Sequence, residues 1–160
     1  MKKVGIVMGS ASDLPVVGKA ADRLRELGIP FESHILSAHR TPLEAAEFAR
    51  GAREAGFGVL IAAAGMAAHL AGALAAQTTL PVIGIPCGSG KLGGIDALLS
   101  TVMMPSGIPV ATVAIDGAAN AAFLAAEILA VEDAELAEKL RRMREDAAAD
   151  VLKKDAELEL

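Results

Sequence analysis

Short, unbroken apolar runs alternate along this chain with longer stretches of helical periodicity, and nothing else in the sequence narrows its fold as much. Strands are predicted at Val4–Met8, Phe31–Leu36, Val59–Ala63, Val82–Ile85 and Val110–Ala114. Helices are predicted at Leu14–Leu27, Pro42–Ala55, about Ala67–Gln77, Gly94–Met103 and Ala118–Ala130. Runs that are apolar at every position belong to strands covered on both faces, the condition of a parallel sheet. Right-handed crossovers then give an α/β fold: a three-layer, doubly wound parallel sheet of flavodoxin-like order. Residues 1–131 are expected to form this single domain. In the remainder, Glu132–Leu160, the residues Leu136, Leu140, Met143, Ala147 and Val151 recur every three or four positions amid charge. That spacing predicts a C-terminal amphipathic helix, packing on its own subunit or on a neighbouring one.

Charge distribution excludes several classes of function. Between Ala55 and Val131 the only formally charged side chains are Lys91, Asp96, Asp116 and Glu127. So sparse a set cannot clothe one small globule, so part of this stretch is expected to be buried against other subunits. The net charge of −5 lies mostly in the tail, no basic stripe occurs and aromatics make up 2% of the chain, which argues against a nucleic-acid partner. Gly58–Ala76 is long enough to cross a bilayer, but it is mostly Ala and Gly, contains His69 and changes period near Gly65. A strand followed by a helix in a buried core is the better reading, and no membrane association is expected. The N-terminal residues lead into a strand without the layout of a signal peptide, and the one cysteine, Cys87, fits a reducing cytoplasm.

In a doubly wound fold every βα loop opens on the same edge of the sheet, so residues distant in sequence meet there. The first such loop, Met8-Gly9-Ser10-Ala11-Ser12-Asp13, offers hydroxyls and amides to a phosphate, although Ser12 or Asp13 is equally readable as a helix cap. It matches neither a dinucleotide fingerprint nor a nucleoside-triphosphate loop, so neither of those ligands is indicated. The second loop, Ser37-Ala38-His39-Arg40-Thr41-Pro42, sets a titratable imidazole beside a permanent cation at a helix start, with Thr41 and Glu44 spaced as a capping box. A base beside an anion anchor reads as proton transfer on a phosphorylated small molecule. The third, Ala64–Leu70, carries Gly65 and His69, the latter also readable as a core histidine. The fourth, Pro86–Gly94, is glycine-rich and could close over a ligand. His34 lies mid-strand, Cys87 has no His/Asn partner set, and no cluster has zinc spacing, so these are read as structural and no metal is expected.

Met8-Gly9-Ser10-x-Ser12-Asp13, Ser37-Ala38-His39-Arg40-Thr41-Pro42, Ala67-Ala68-His69-Leu70, Leu80-Pro81-Val82-Ile83-Gly84, Met104–Thr112 and Asn120-Ala121-Ala122-x-Leu124-Ala125-Ala126 stand in this order along the chain. Together they resemble the N5-carboxyaminoimidazole ribonucleotide mutase family of bacterial-type purine synthesis. The resemblance implies a cofactor-free, metal-free cytoplasmic homo-octamer that moves a carboxylate from an exocyclic nitrogen to ring carbon C4 of a ribonucleotide. By motif, His39 and His69 would be catalytic, His39 as the proton-transfer residue. Ser10, Ser12, Asp13, Ser37, Arg40, Gly65 and Leu70 would bind substrate, with Ser10 and Arg40 on the phosphate and Asp13 on the ribose hydroxyls. Three positions depart from the family pattern, with Ala63 and Met66 standing where glycine is usual and Ala71 where proline is frequent, and the loop before Asn120 is shorter than in some members. Two rival readings remain: a carboxylase using free carbon dioxide, whose motif usually has Lys after His rather than Arg40, and a non-enzymatic ribonucleotide sensor.

Overall fold

The computed structural model describes residues 1–158; Glu159 and Leu160, the end of the predicted terminal helix, lie outside the described residues. Five parallel strands form one sheet in the order β2-β1-β3-β4-β5. They are β1 (Lys3–Met8), β2 (Phe31–Ile35), β3 (Phe57–Gly65), β4 (Val82–Cys87) and β5 (Ala111–Thr112). The helices are α1 (Leu14–Leu27), α2 (Pro42–Gly51), α3 (Leu70–Ala75), α4 (Ile95–Val102), α5 (Ala118–Ala130) and α6 (Ala134–Ala156). This is the flavodoxin-like order that the alternation predicts.

Period-two alternation divides the core between the two faces. Val4, Ile6 and Met8 of β1, with Val59, Ile61 and Ala63 of β3, pack against α1 and α5. Val7, Leu60, Ala62 and Val82 point the other way, onto α2 and α3. β1, β3 and β4 are buried on both faces, as their unbroken apolar runs require. Edge strand β2 is not: Glu32, Ser33 and Ile35 are exposed, and the His34 ring packs at a tilt against Phe48 with ring centroids 4.8 Å apart. β5 is shorter than predicted, two residues instead of five, because an edge strand has only β4 to pair with. The segment that imitates a membrane span is β3 followed by α3. Among the described residues no helix is long and apolar enough to cross a membrane.

α6 starts on Asp133, whose carboxylate accepts from the Leu136 N–H at 3.0 Å. Leu136 is buried, and Leu140 and Met143 pack on the α1/α5 side, whereas the turns from Asp146 onward are exposed. A second unclothed surface runs along α4, where Leu92, Ile95, Leu99, Val102 and Met103 follow helical spacing and stay exposed.

A close approach in the sheet is at Gly84 in β4. A Cβ there would collide with Thr101 Cγ2 and stand 3.0 Å from Val110 Cγ1 and 3.3 Å from the methyl of Ala71. Ala71 is thus a packing residue of α3 against β4. Gly84→Ala is expected to destabilise the protein by about 1–3 kcal/mol through overpacking, read as a lower urea midpoint.

Candidate active site

The ends of β1, β2, β3 and β4 open on one edge, and the loops that follow enclose a cavity of about 660 Å³. All nine residues singled out by the sequence line it: Ser10, Ser12, Asp13, Ser37, His39, Arg40, Gly65, His69 and Leu70. His34 does not, lying on the α2 face beside Phe48.

The second loop is held by a different device from the predicted capping box. Thr41 makes no side-chain bond to the helix it precedes. Its Oγ1 instead accepts from the Ser37 N–H at 2.8 Å and donates to the Ser37 carbonyl at 3.2 Å. Ser37 in turn uses its own hydroxyl oxygen to accept from the N–H groups of His39, at 3.3 Å, and Arg40, at 3.1 Å. The turn closes on itself first because a hydroxyl four residues from its partner finds it at little entropic cost. His39 and Arg40 are thereby presented on a braced turn with both side chains exposed. The Arg40 Nη2 donates to the Gly9 carbonyl at 3.2 Å, tying this loop to the first one and leaving its other N–H groups free.

In the first loop the cap is Ser10. Its Oγ accepts from the Ser12 N–H at 3.3 Å and from the Ser12 hydroxyl at 2.9 Å. Asp13 makes no side-chain cap bond, so the capping alternative does not hold for it. Its carboxyl is nearly inaccessible, at 5% exposure, yet lines the cavity. Burial raises its pKa, opposed by a hydrogen bond from the Ser10 backbone and by the neighbouring Cys87 thiol. Cys87 is pushed up to about 12, by burial first and then by the charges of Asp13 and Asp116. It therefore stays a neutral thiol and is not a nucleophile.

The third loop places His69 at the start of α3, exposed to the cavity rather than in the core. Its ring lies over Gly72, where a Cβ would come within 2.9 Å of Cε1. Leu70 reaches the cavity wall but is itself 2% exposed, part of the packing under α3. Met66 adopts φ 53, the left-handed region that suits the glycine usual at this position. Its side chain is 62% exposed and leans toward Gly90, so it borders the cavity mouth without filling the floor. The sequence reading gave no role to Ser89, which also lines the cavity; the signal that places it there is the pairing of β4 with β3. Among the described residues no three His, Cys, Asp or Glu side chains converge to hold a metal ion.

A family model described as AIR carboxylase matches residues 3–150. The chain belongs to the AIR carboxylase family. It is 57% identical over 156 residues to the N5-carboxyaminoimidazole ribonucleotide mutase of Pyrococcus horikoshii, covering 98% of this chain and 88% of that protein. The protein of the same name from Bacillus subtilis is 52% identical, with 97% of each chain covered. Among solved structures, Treponema denticola PurE matches with a TM-score of 0.90 at 31% identity, covering 98% of both chains. The Treponema denticola structure shares this fold over nearly the whole length, so the βα loops described above belong to a framework common to the two.

The buried Asp13 generates a prediction with a definite sign. A carboxyl whose folded pKa lies above its unfolded value binds protons more readily when folded, so its ionisation lowers stability as pH rises through the folded pKa. Asp13→Asn is therefore expected to raise the Tm of the ligand-free protein at neutral pH. The gain should vanish as pH falls toward the ordinary value of 3.8. Calorimetry across this range checks it, and a Tm gain of constant size would contradict it.

Proposed function

We propose that this chain is an N5-carboxyaminoimidazole ribonucleotide mutase of purine biosynthesis, acting in the cytoplasm as a homo-octamer without cofactor or metal. The observation that carries this reading is the near-full-length identity to mutases, 57% in the first case, joined to the convergence of the nine candidate site residues on one cavity. Arg40 follows His39 where the carboxylase branch usually has Lys, which favours the mutase.

In the proposed mechanism the substrate phosphate lies against the hydroxyls of Ser10 and Ser12 and the free N–H groups of Arg40, a charge-assisted contact. The Asp13 carboxylate accepts from the ribose hydroxyls, which supply the hydrogen bonds that its burial removes. Ser37 orients the turn that carries His39. The bond between the exocyclic nitrogen and its carboxyl carbon breaks, the electron pair stays on nitrogen, and His39 supplies the proton. Carbon dioxide is retained beside the Gly65 loop, with His69 on the same wall. Ring carbon C4 then attacks it with its enamine electron pair, and His39 removes the C4 proton, restoring the aromatic ring. Atoms, charge and protons balance over the cycle. An imidazole serves both halves because it changes charge within the physiological range. Exclusion of water matters here because free carbon dioxide would escape or hydrate.

Residues 1–131 act as the catalytic domain in this reading, and 132–160 as a helical extension packing on its own or a neighbouring subunit. The apolar stripe of Leu92, Ile95, Leu99, Val102 and Met103 supports a multi-subunit assembly, since a partner copy would clothe it. Carbamate substrate supplied in bicarbonate-free buffer is expected to yield C4-carboxylated product. Product only from aminoimidazole ribonucleotide plus carbon dioxide would mark a carboxylase, and binding without turnover a sensor. His39→Asn is expected to retain ribonucleotide binding while losing at least ~100-fold in kcat, the scale of general acid–base catalysis.

A further inference from the structure

We infer that Ser89 holds the carboxyl group of the substrate in transit between nitrogen and carbon. This rests on the mutase reading and deepens it. β3 and β4 pair as far as Gly65 with Cys87, so their loops leave the sheet side by side, and Ser89 stands two residues beyond that last pair. A Cβ on residue 65 would overlap Ser89 Oγ and lie 3.4 Å from Ser89 Cβ. The Ser89 hydroxyl thus occupies the space that the missing side chain of Gly65 leaves open. Ser89 itself is exposed and lines the cavity.

The order of strands says which end of the substrate Ser89 meets. The phosphate-binding groups come from the loops of β1 and β2, whereas Ser89 follows β4, two strand positions beyond β1. Two strand spacings are about 10 Å, comparable to the span of a ribose phosphate bearing a five-membered ring and its carboxyl group. On that wall Ala64, Gly65, Met66 and Ser89 carry no charge, and the imidazole of His69 also lines the cavity. A neutral donor suits a group that must be a carboxylate at the start, uncharged carbon dioxide midway and a carboxylate again at the end. A fixed cation would hold the starting carboxylate and oppose its departure, which is binding in the ground state without benefit to the transition state. A serine hydroxyl rotates about Cβ–Oγ and can keep its hydrogen bond as the carbon moves.

Ser89→Ala tests this in buffer containing 13C-bicarbonate, with unlabelled carbamate substrate and with Ser89→Gly measured alongside. Both variants are expected to keep KM within about twofold, because the phosphate and ribose contacts remain. In both, kcat should fall about tenfold, the loss of one hydrogen bond to the reacting group. Medium 13C in the C4-carboxylated product should rise several-fold, because carbon dioxide now exchanges with solution. A merely structural Ser89 would leave the labelled fraction unchanged. Wild-type turnover with unaltered kcat and label in the variants would overturn the assignment of Ser89 while leaving the mutase reading intact. Failure of the wild type to convert the carbamate at all would overturn both.

Discussion

Parallel hydrogen bonding between β1, β3 and β4 is the constraint on which the rest of this molecule depends. Pairing Met8 with Ala63 and Gly65 with Cys87 brings three strand ends to one level at one edge. A one-residue slip would turn every side chain to the opposite face and lose its packing against α1 and α5 on one side or α2 and α3 on the other. Loops separated by up to eighty residues in sequence therefore meet with a precision set by the sheet rather than by their own stiffness.

The site built on that edge is stabilised locally and destabilised centrally. Thr41, Ser37 and Ser10 close their turns with side-chain hydrogen bonds, so the chain presents His39 and Arg40 without help from a ligand. Asp13 is the opposite case: a carboxylate taken out of water, with the Cys87 thiol and the Ser10 backbone as modest compensation. Met66 adds a left-handed backbone at a residue with a Cβ, a cost of roughly 1–2 kcal/mol. Both costs fall on the cavity wall, where substrate contacts can offset them.

Much of the architecture was legible in the sequence for a simple reason: residues such as Ile61, Ile83 and Val7 are apolar because of where they must lie, and that pattern repeats with the period of the element. Edge strand β2 was legible to within one residue despite Glu32 and Ser33. The other edge strand, β5, was the least legible: it shrinks to two residues, because it has one neighbour only. Cap chemistry also misled, since Thr41 and Glu44 have capping-box spacing while Thr41 bonds backward to Ser37. Local spacing identifies groups able to bond but not which of two nearby partners wins.

By itself the sequence determined the alternation of elements, the sheet order that right-handed crossovers permit, and the residues with chemistry to offer at the βα loops. It did so because those choices are written in periodicity and in residue type. Only the tertiary structure decided that Asp13 is buried without capping anything, that His69 faces the cavity over Gly72, that Met66 bends away from its floor, and that Ser89 fills the space beside Gly65. Each of these depends on distances between segments far apart in the chain, which no local pattern encodes.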